Sequence, residues 1–266
     1  MDFNKIAIIT TVSNVSLYKQ TIQFFPKEYK IYAIDGSNGL FGLQSFFFFF
    51  KKLKNKNFKW LVHIDEDVLF VKPTEIVHLI KQLENENIDV CGIRDGGVLS
   101  WRDKNPYLMN PFFCILNIER IFEKFNKLEI LKNQYLIPEE FKDDLSKLKY
   151  GYDTNSLFEH YYCFFLWLRR NNYKFKFLKV KEAGFLNDLE TTEVYSLDNK
   201  LLLYHTWYAR TYNKNDDHTT RINNVIKLGI FPDKYLFKRV KWLTNYSFTF
   251  NKMLWKFINR FINIFK

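Results

Sequence analysis

Short apolar runs alternate with stretches of mixed polarity along the first half of the chain, and that alternation predicts secondary structure. KIAIITT (5–11), YKIYAID (29–35), FKWLVHID (58–65) and IDVCGI (88–93) read as buried strands. Between them, SLYKQTIQFF (16–25), the segment 42–54 and TEIVHLIKQLENEN (74–87) read as helices, with Pro73 suited to the first turn of the last. Further on, the pattern predicts a strand over PFFCILNI (111–118), a helix over about 119–132 and a charged segment around 138–149. A helix over about 154–171 and strands near 175–180 and 201–206 complete the reading. Strands that alternate with helices imply an α/β fold with a mostly parallel sheet flanked by helices. The chain shows no internal repeat and no Pro/Gly/Ser linker; the expected division is a domain over 1–212 and a helical extension over 213–266.

One apolar run contains an anomaly. WLVHIDEDVLFV (60–71) holds Asp65, Glu66 and Asp67 in succession where a buried strand should hold no charge. Unpaired carboxylates are too costly to bury, so this run must reach a surface, a partner or a cation. In an extended strand Asp65 and Asp67 face one way and Glu66 the other. Two carboxylates so spaced suit one hard divalent cation, Mg2+ or Mn2+, with diphosphate oxygens as natural co-ligands. The alternative is a solvated turn after a strand. Parallel sheets bind ligands at the carboxyl ends of their strands, so IITTVSN, AIDGSNG and HIDEDVL would bring Thr10, Thr11, Asp35 and Asp65 to one rim.

Composition narrows the class. With 266 residues, 47% hydrophobic and 19% aromatic, the chain can build a substantial core. Cys91, Cys114 and Cys163 lie far apart among apolar neighbours, which reads as buried thiols in a reducing compartment. The start, MDFNKIAIITTVSN, lacks the features of a signal peptide, so a cytoplasmic location is expected. SFFFFFKK (45–52) is far shorter than the roughly 20 apolar residues of a spanning helix and reads as a buried helix face. A net charge of +11 implies a phosphate-bearing partner: nucleic acid, anionic lipid or nucleotide.

The ordered set IITTVSN, IYAIDGSNG, WLVHIDEDVLF, NPFFCILNI, GYDTNSLFEHYY and YHTWYAR, spanning roughly residues 4–212, resembles the GT-A-fold nucleotide-sugar glycosyltransferases of bacterial surface-polysaccharide type. The resemblance implies a GT-A-like sheet and transfer of a sugar from a nucleoside-diphosphate donor, UDP-sugar favoured, to a saccharide or lipid-linked acceptor. It makes WLVHIDEDVLF the DxD motif, with Asp65, Asp67 and the late His205 as metal ligands. The histidine tilts the preference toward Mn2+. Asp35 would hold the base or ribose, with Gly36 and Gly39 allowing a close turn and Thr11 beside it. Bottom-up, Asp35 in DGSNG is equally a turn former. Thr10, Thr11, Asp35, Gly36, Asp65, Glu66 and Arg210 form the expected donor-binding set, Arg210 gripping phosphate in its forked geometry. Asp153, in KYGYDTNSLFEH, is the candidate base, or else a helix N-cap; Asp95, between Arg94 and two glycines, is the reserve. Glu159 reads as lying deeper in that helix. Asn110 and Asn117 are candidates for sugar hydroxyls, and His63, His78 and His160 read as structural.

From Phe250 onward, Leu254, Phe257, Ile258, Phe261, Ile262 and Phe265 recur at helical spacing, with Lys252, Lys256, Arg260 and Lys266 on the other face. This predicts a basic amphipathic tail that docks on an anionic membrane, the inner face of the cytoplasmic membrane, or packs on protein. Because the donor and metal candidates end at Arg210, loss of residues 245–266 is expected to spare transfer to a soluble acceptor. A metal-dependent nuclease or nucleic-acid binder would use the same charge and paired acids, yet no nucleic-acid motif is present. A non-catalytic membrane-surface scaffold is the third reading.

Overall fold

The computed structural model describes residues 2–230 and 232–254. Its larger sheet is built from β1 (Ile6–Val12), β2 (Lys30–Asp35), β3 (Trp60–Ile64), β5 (Val90–Arg94), β6 (Met109–Asn117), β7 (Phe175–Phe177) and β11 (Lys241–Leu243). The strand order is β11-β2-β1-β3-β6-β5-β7, and β6 alone runs antiparallel to its neighbours. The smaller sheet, in the order β4-β10-β9-β8, is antiparallel and comprises β4 (Val68–Phe70), β8 (Val180–Glu182), β9 (Thr192–Tyr195) and β10 (Leu201–His205).

Both faces of the larger sheet are covered, which is why its strands read as continuous apolar runs. Ile6, Ile8, Ile31, Ala33, Trp60 and Val62 point to one core, with α3 (Glu75–Asn85) supplying Ile76, Leu79, Ile80 and Leu83 at helical spacing. Ala7, Ile9, Tyr32, Ile34 and Leu61 point to the other, against α2 (Leu43–Leu53) and α6 (Tyr162–Arg170). The phenylalanine run lies in α2 and buries Phe46, Phe48, Phe49 and Phe50 in that second core. The three cysteines are buried free thiols. Among the described residues, no helix is long and apolar enough to cross a membrane.

Several expected elements are divided. The run 60–71 is two strands in two sheets: β3 ends at Ile64, the acidic triplet turns, and β4 joins β10. Segment 175–180 divides likewise, β7 in the larger sheet and β8 in the smaller. The helix expected over 119–132 breaks into α4 (Ile118–Lys124) and α5 (Lys127–Leu131) because Asn126 takes the amides of Leu128 and Glu129 as an N-cap. The helix expected from 154 begins at Tyr162. Its first residues are held as turns instead: the Asn105 amide donates to the carbonyls of Thr154 and Ser156, and Asp153 accepts from Asn155 N. The boundary expected at residue 212 is crossed by the sheet itself, since β11 pairs in parallel with β2 and Leu236 lies in the core. Ahead of β11, α1 (Val15–Thr21) and α7 (Asp216–Ile226) meet through Leu17 and Ile222. Residues 246–254 are helical; the remainder of the expected amphipathic tail, 255–266, lies outside the described residues.

Candidate metal centre and cleft

β3 delivers its chain to the carboxyl edge of the larger sheet, where Asp65 N still donates to Phe112 O of β6 (2.8 Å). A turn follows, closed by Val68 N on Asp65 O (3.3 Å). The triplet is thus not extended, and the separation of its side chains comes from the turn and not from strand alternation. β4 then pairs antiparallel with β10 in a register that sets Val68 opposite His205. Thr206 N and Oγ1 both donate to Asp67 O (3.1 Å each), and His205 Nε2 lies 3.1 Å from Asp67 Oδ1. Ligand atoms of Asp65, Asp67 and His205 fall within 4.8 Å of one another. Glu66 points away, its Oε2 accepting from Ser13 N and Asn14 N (2.8 Å each) where α1 begins.

This centre concentrates negative charge where Asp67 and His205 are buried and Asp65 is half-buried. Burial, then the Asp67 charge, pushes the Asp65 carboxyl up to about 6, while His205 and Arg210 pull it back. Burial also pushes Glu66 up to about 8, against the amide of Asn14 that holds it down. The His205 ring stacks on Phe112 at 4.0 Å, and Trp207 lies tilted against it at 4.3 Å. Its Nδ1 is buried with no hydrogen-bond partner among the described residues. Two carboxylates and one imidazole fit a divalent cation that accepts both oxygen and nitrogen donors.

The centre opens into a cleft of about 1190 Å³ whose walls include Thr11, Phe41, Arg102, Glu159, Tyr161, Trp207, Tyr208, Arg210 and Lys252. Trp207 and Tyr208 hold left-handed backbones (φ 59° and 60°), which cost bulky residues about 1–3 kcal/mol each. That reversal turns the chain after His205 so that Arg210 lies over the Phe41 ring, 4.1 Å from its centroid. Trp207 Nε1 anchors the turn on Thr192 Oγ1 (2.9 Å).

The expected site residues separate into groups. Thr11, Asp65, Glu66, Asp67, His205, Arg210 and Asn110 border the cleft. Thr10 is fully buried and does not line it, and the hydroxyls of both threonines lack partners among the described residues. Gly36 closes tightly on β1: its N donates to Val12 O (2.8 Å), and a Cβ there would meet Thr11 Cγ2 at 3.0 Å. Asp35 accepts from Ser37 N and Oγ, which is turn-forming geometry, and it does not line the cleft. Asp95 is buried and saturated by Arg102 (2.5 and 3.0 Å), Asn110 (2.8 Å) and Tyr162 (2.5 Å). Asn110 is committed to Asp95, and Asn117 caps α4 at the opposite edge of the sheet. Asp153 is exposed outside the cleft.

Glu159 is placed differently from its expected depth in a helix. It precedes α6, faces the cleft, and accepts from Arg102 Nη2 (2.6 Å). His63, tied to Pro111 O by Nδ1 (2.6 Å), and the exposed His160 both border the cleft. Arg102 lies in a loop outside any motif; Tyr161 lies inside GYDTNSLFEHYY, where no role was expected of it, and Lys252 was expected only on the basic face of the tail.

No protein-family model and no curated protein matches the chain. Among solved structures, the protein A197 from STIV aligns at 16% identity over 75% of this chain and 93% of its own, with a TM-score of 0.38. S. aureus TarS 1–349 aligns at 14% identity over 57% of this chain and 58% of its own (TM-score 0.28). A glycosyltransferase involved in the glycosylation of the major capsid of PBCV-1 aligns at 15% identity over 56% and 80% (TM-score 0.30). All three TM-scores lie below 0.5, so the case for function rests on the chain's own residues.

Proposed function

We propose that the chain is a metal-dependent glycosyltransferase that moves a sugar from a nucleoside-diphosphate donor, UDP-sugar favoured, to a saccharide or lipid-linked acceptor in surface-glycan synthesis. The observation that carries this reading is the convergence of Asp65, Asp67 and His205 at the carboxyl edge of a mostly parallel sheet, inside a cleft of about 1190 Å³.

Asp65, Asp67 and His205 would hold the divalent cation. When bound, it supplies neutralising charge for the departing nucleoside diphosphate. Arg210, poised over Phe41, grips phosphate oxygens in forked geometry. Thr11, Gly36 and the turn after Asp35 shape the nucleoside end. In an inverting transfer a carboxylate takes the acceptor's hydroxyl proton. Glu159 is the cleft carboxylate outside the acidic triplet, and Arg102 orients it. A membrane surface as docking partner belongs to the same proposal.

A thermal-shift screen tests it, using UDP, GDP and CMP with and without Mn2+. The matching nucleotide raises the midpoint only when the metal is present, because a ligand of the folded state alone stabilises it. Absence of a shift with every nucleotide and metal would sink the reading.

A further inference from the structure

The C-terminal helix reaches back into the cleft. Residues 246–254 are capped by Asn245, whose side chain accepts from Phe248 N (3.1 Å), and they lie against GSNGLFG (36–42), the loop after β2. Asn38 Nδ2 donates to Thr249 Oγ1 (2.5 Å), Lys252 Nζ donates to Asn38 O, and Phe248 packs into the second core. A Cβ added to Gly39 (φ +93°) would stand 2.6 Å from Lys252 Nζ, so the ammonium rests on backbone that a side chain would obstruct. Arg210 lies over Phe41 in the same loop, so this one loop meets two cations, and both border the cleft that contains Asp65 and Asp67.

Charge balance gives these cations a purpose. Asp65 and Asp67 together match one divalent cation. A diphosphate diester, with an ionised oxygen on each phosphorus, then still lacks its counter-charges. Arg210 offers one. Lys252, anchored by a backbone carbonyl and, among the described residues, by no carboxylate, keeps its charge available for the other.

We propose that Lys252 is a donor-binding residue whose ammonium contacts the diphosphate alongside Arg210, so that segment 246–254 completes the donor pocket. The assignment rests on the nucleotide-sugar reading. It reverses one expectation: removal of residues 245–266 weakens the donor site as well as any membrane docking.

The test is calorimetric titration of the full chain in Mn2+ with UDP and GDP, and with uridine and guanosine in parallel. Lys252→Gln keeps a donor for Asn38 O without the charge; Lys252→Arg keeps the charge. The expected result is that wild type binds one diphosphate, Lys252→Gln binds it about tenfold more weakly, and Lys252→Arg retains most of the affinity. Affinity for the matching nucleoside stays unchanged in all three. If wild type binds a diphosphate and Lys252→Gln binds it equally, the lysine assignment falls and the glycosyltransferase reading stands. Equal losses for nucleoside and diphosphate would mean a displaced loop and also overturn the assignment. A folded wild type that binds neither diphosphate overturns both.

Discussion

Asp67→Asn preserves the shape of the side chain and removes its charge, which separates two roles of the acidic centre. Ligand atoms of Asp65, Asp67 and His205 lie within 4.8 Å of one another, with Asp67 and His205 buried and Asp65 half-buried. At that separation and an effective dielectric near 20, two carboxylates repel by about 3 kcal/mol. The asparagine removes this repulsion and weakens the bond to His205 Nε2, a loss of about 1 kcal/mol. The metal-free variant should therefore be more stable than wild type by about 2 kcal/mol, or roughly 4–8 °C in midpoint for a domain of this size. Added cation acts in the opposite sense. Wild type in Mn2+ at about 1,000 times its Kd gains about 4.1 kcal/mol, roughly 8–16 °C, and the variant gains little. The order of midpoints consequently reverses between chelator and Mn2+. Scanning calorimetry of both proteins in EDTA and in Mn2+ reads this out at pH 8, where Asp65, pushed up to about 6, is ionised. A variant less stable than wild type in EDTA would refute the repulsion. Equal responses to Mn2+ would remove Asp67 from the cation site.

Arg102→Met leaves the fully buried Asp95 without its counter-ion and should cost about 3–5 kcal/mol in urea unfolding; a cost below about 1 kcal/mol refutes the pairing. Burial holds the His63 ring neutral, lowering its value to about 4, so the unfolded chain binds a proton that the folded one does not. Stability should be complete above the ordinary value of about 6.5 and fall by about 3 kcal/mol as pH drops from there toward 4. His63→Gln should flatten that slope, and an unchanged slope would assign the acid lability elsewhere. Glu159→Gln should lower turnover about a hundredfold or more at nearly constant donor Michaelis constant, whereas Asp153→Asn should stay near wild type. The opposite pair of results returns the base role to Asp153.

The inner strands β1, β2, β3, β5 and β6 of the larger sheet were legible because both of their faces are covered: Ile6, Ala7, Ile8 and Ile9 alternate between two cores, yet all are apolar; β11, with Lys241 and Trp242 exposed, was not. The acidic centre was legible for the converse reason, since three carboxylates inside an apolar run have no cheap place to go. The family resemblance of YHTWYAR also singled out His205 and Arg210. What brings them together is tertiary. Asp67 and His205 are 138 positions apart, and they meet because the chain leaves one sheet after Ile64 and enters the other in the register Val68 to His205. A strand's own periodicity does not encode that exchange. The limits of α6 were decided by Asn105, whose amide holds the carbonyls of Thr154 and Ser156 outside a helix and so leaves Glu159 facing the cleft. Asp35 and Asp95 show the reverse effect: each looked available in sequence, and the folded chain commits one to Ser37 and the other to Arg102, Asn110 and Tyr162. Local sequence determines which face a residue presents and how its backbone turns. Long-range pairing decides which polar atoms are already satisfied, and so which remain to act on a ligand.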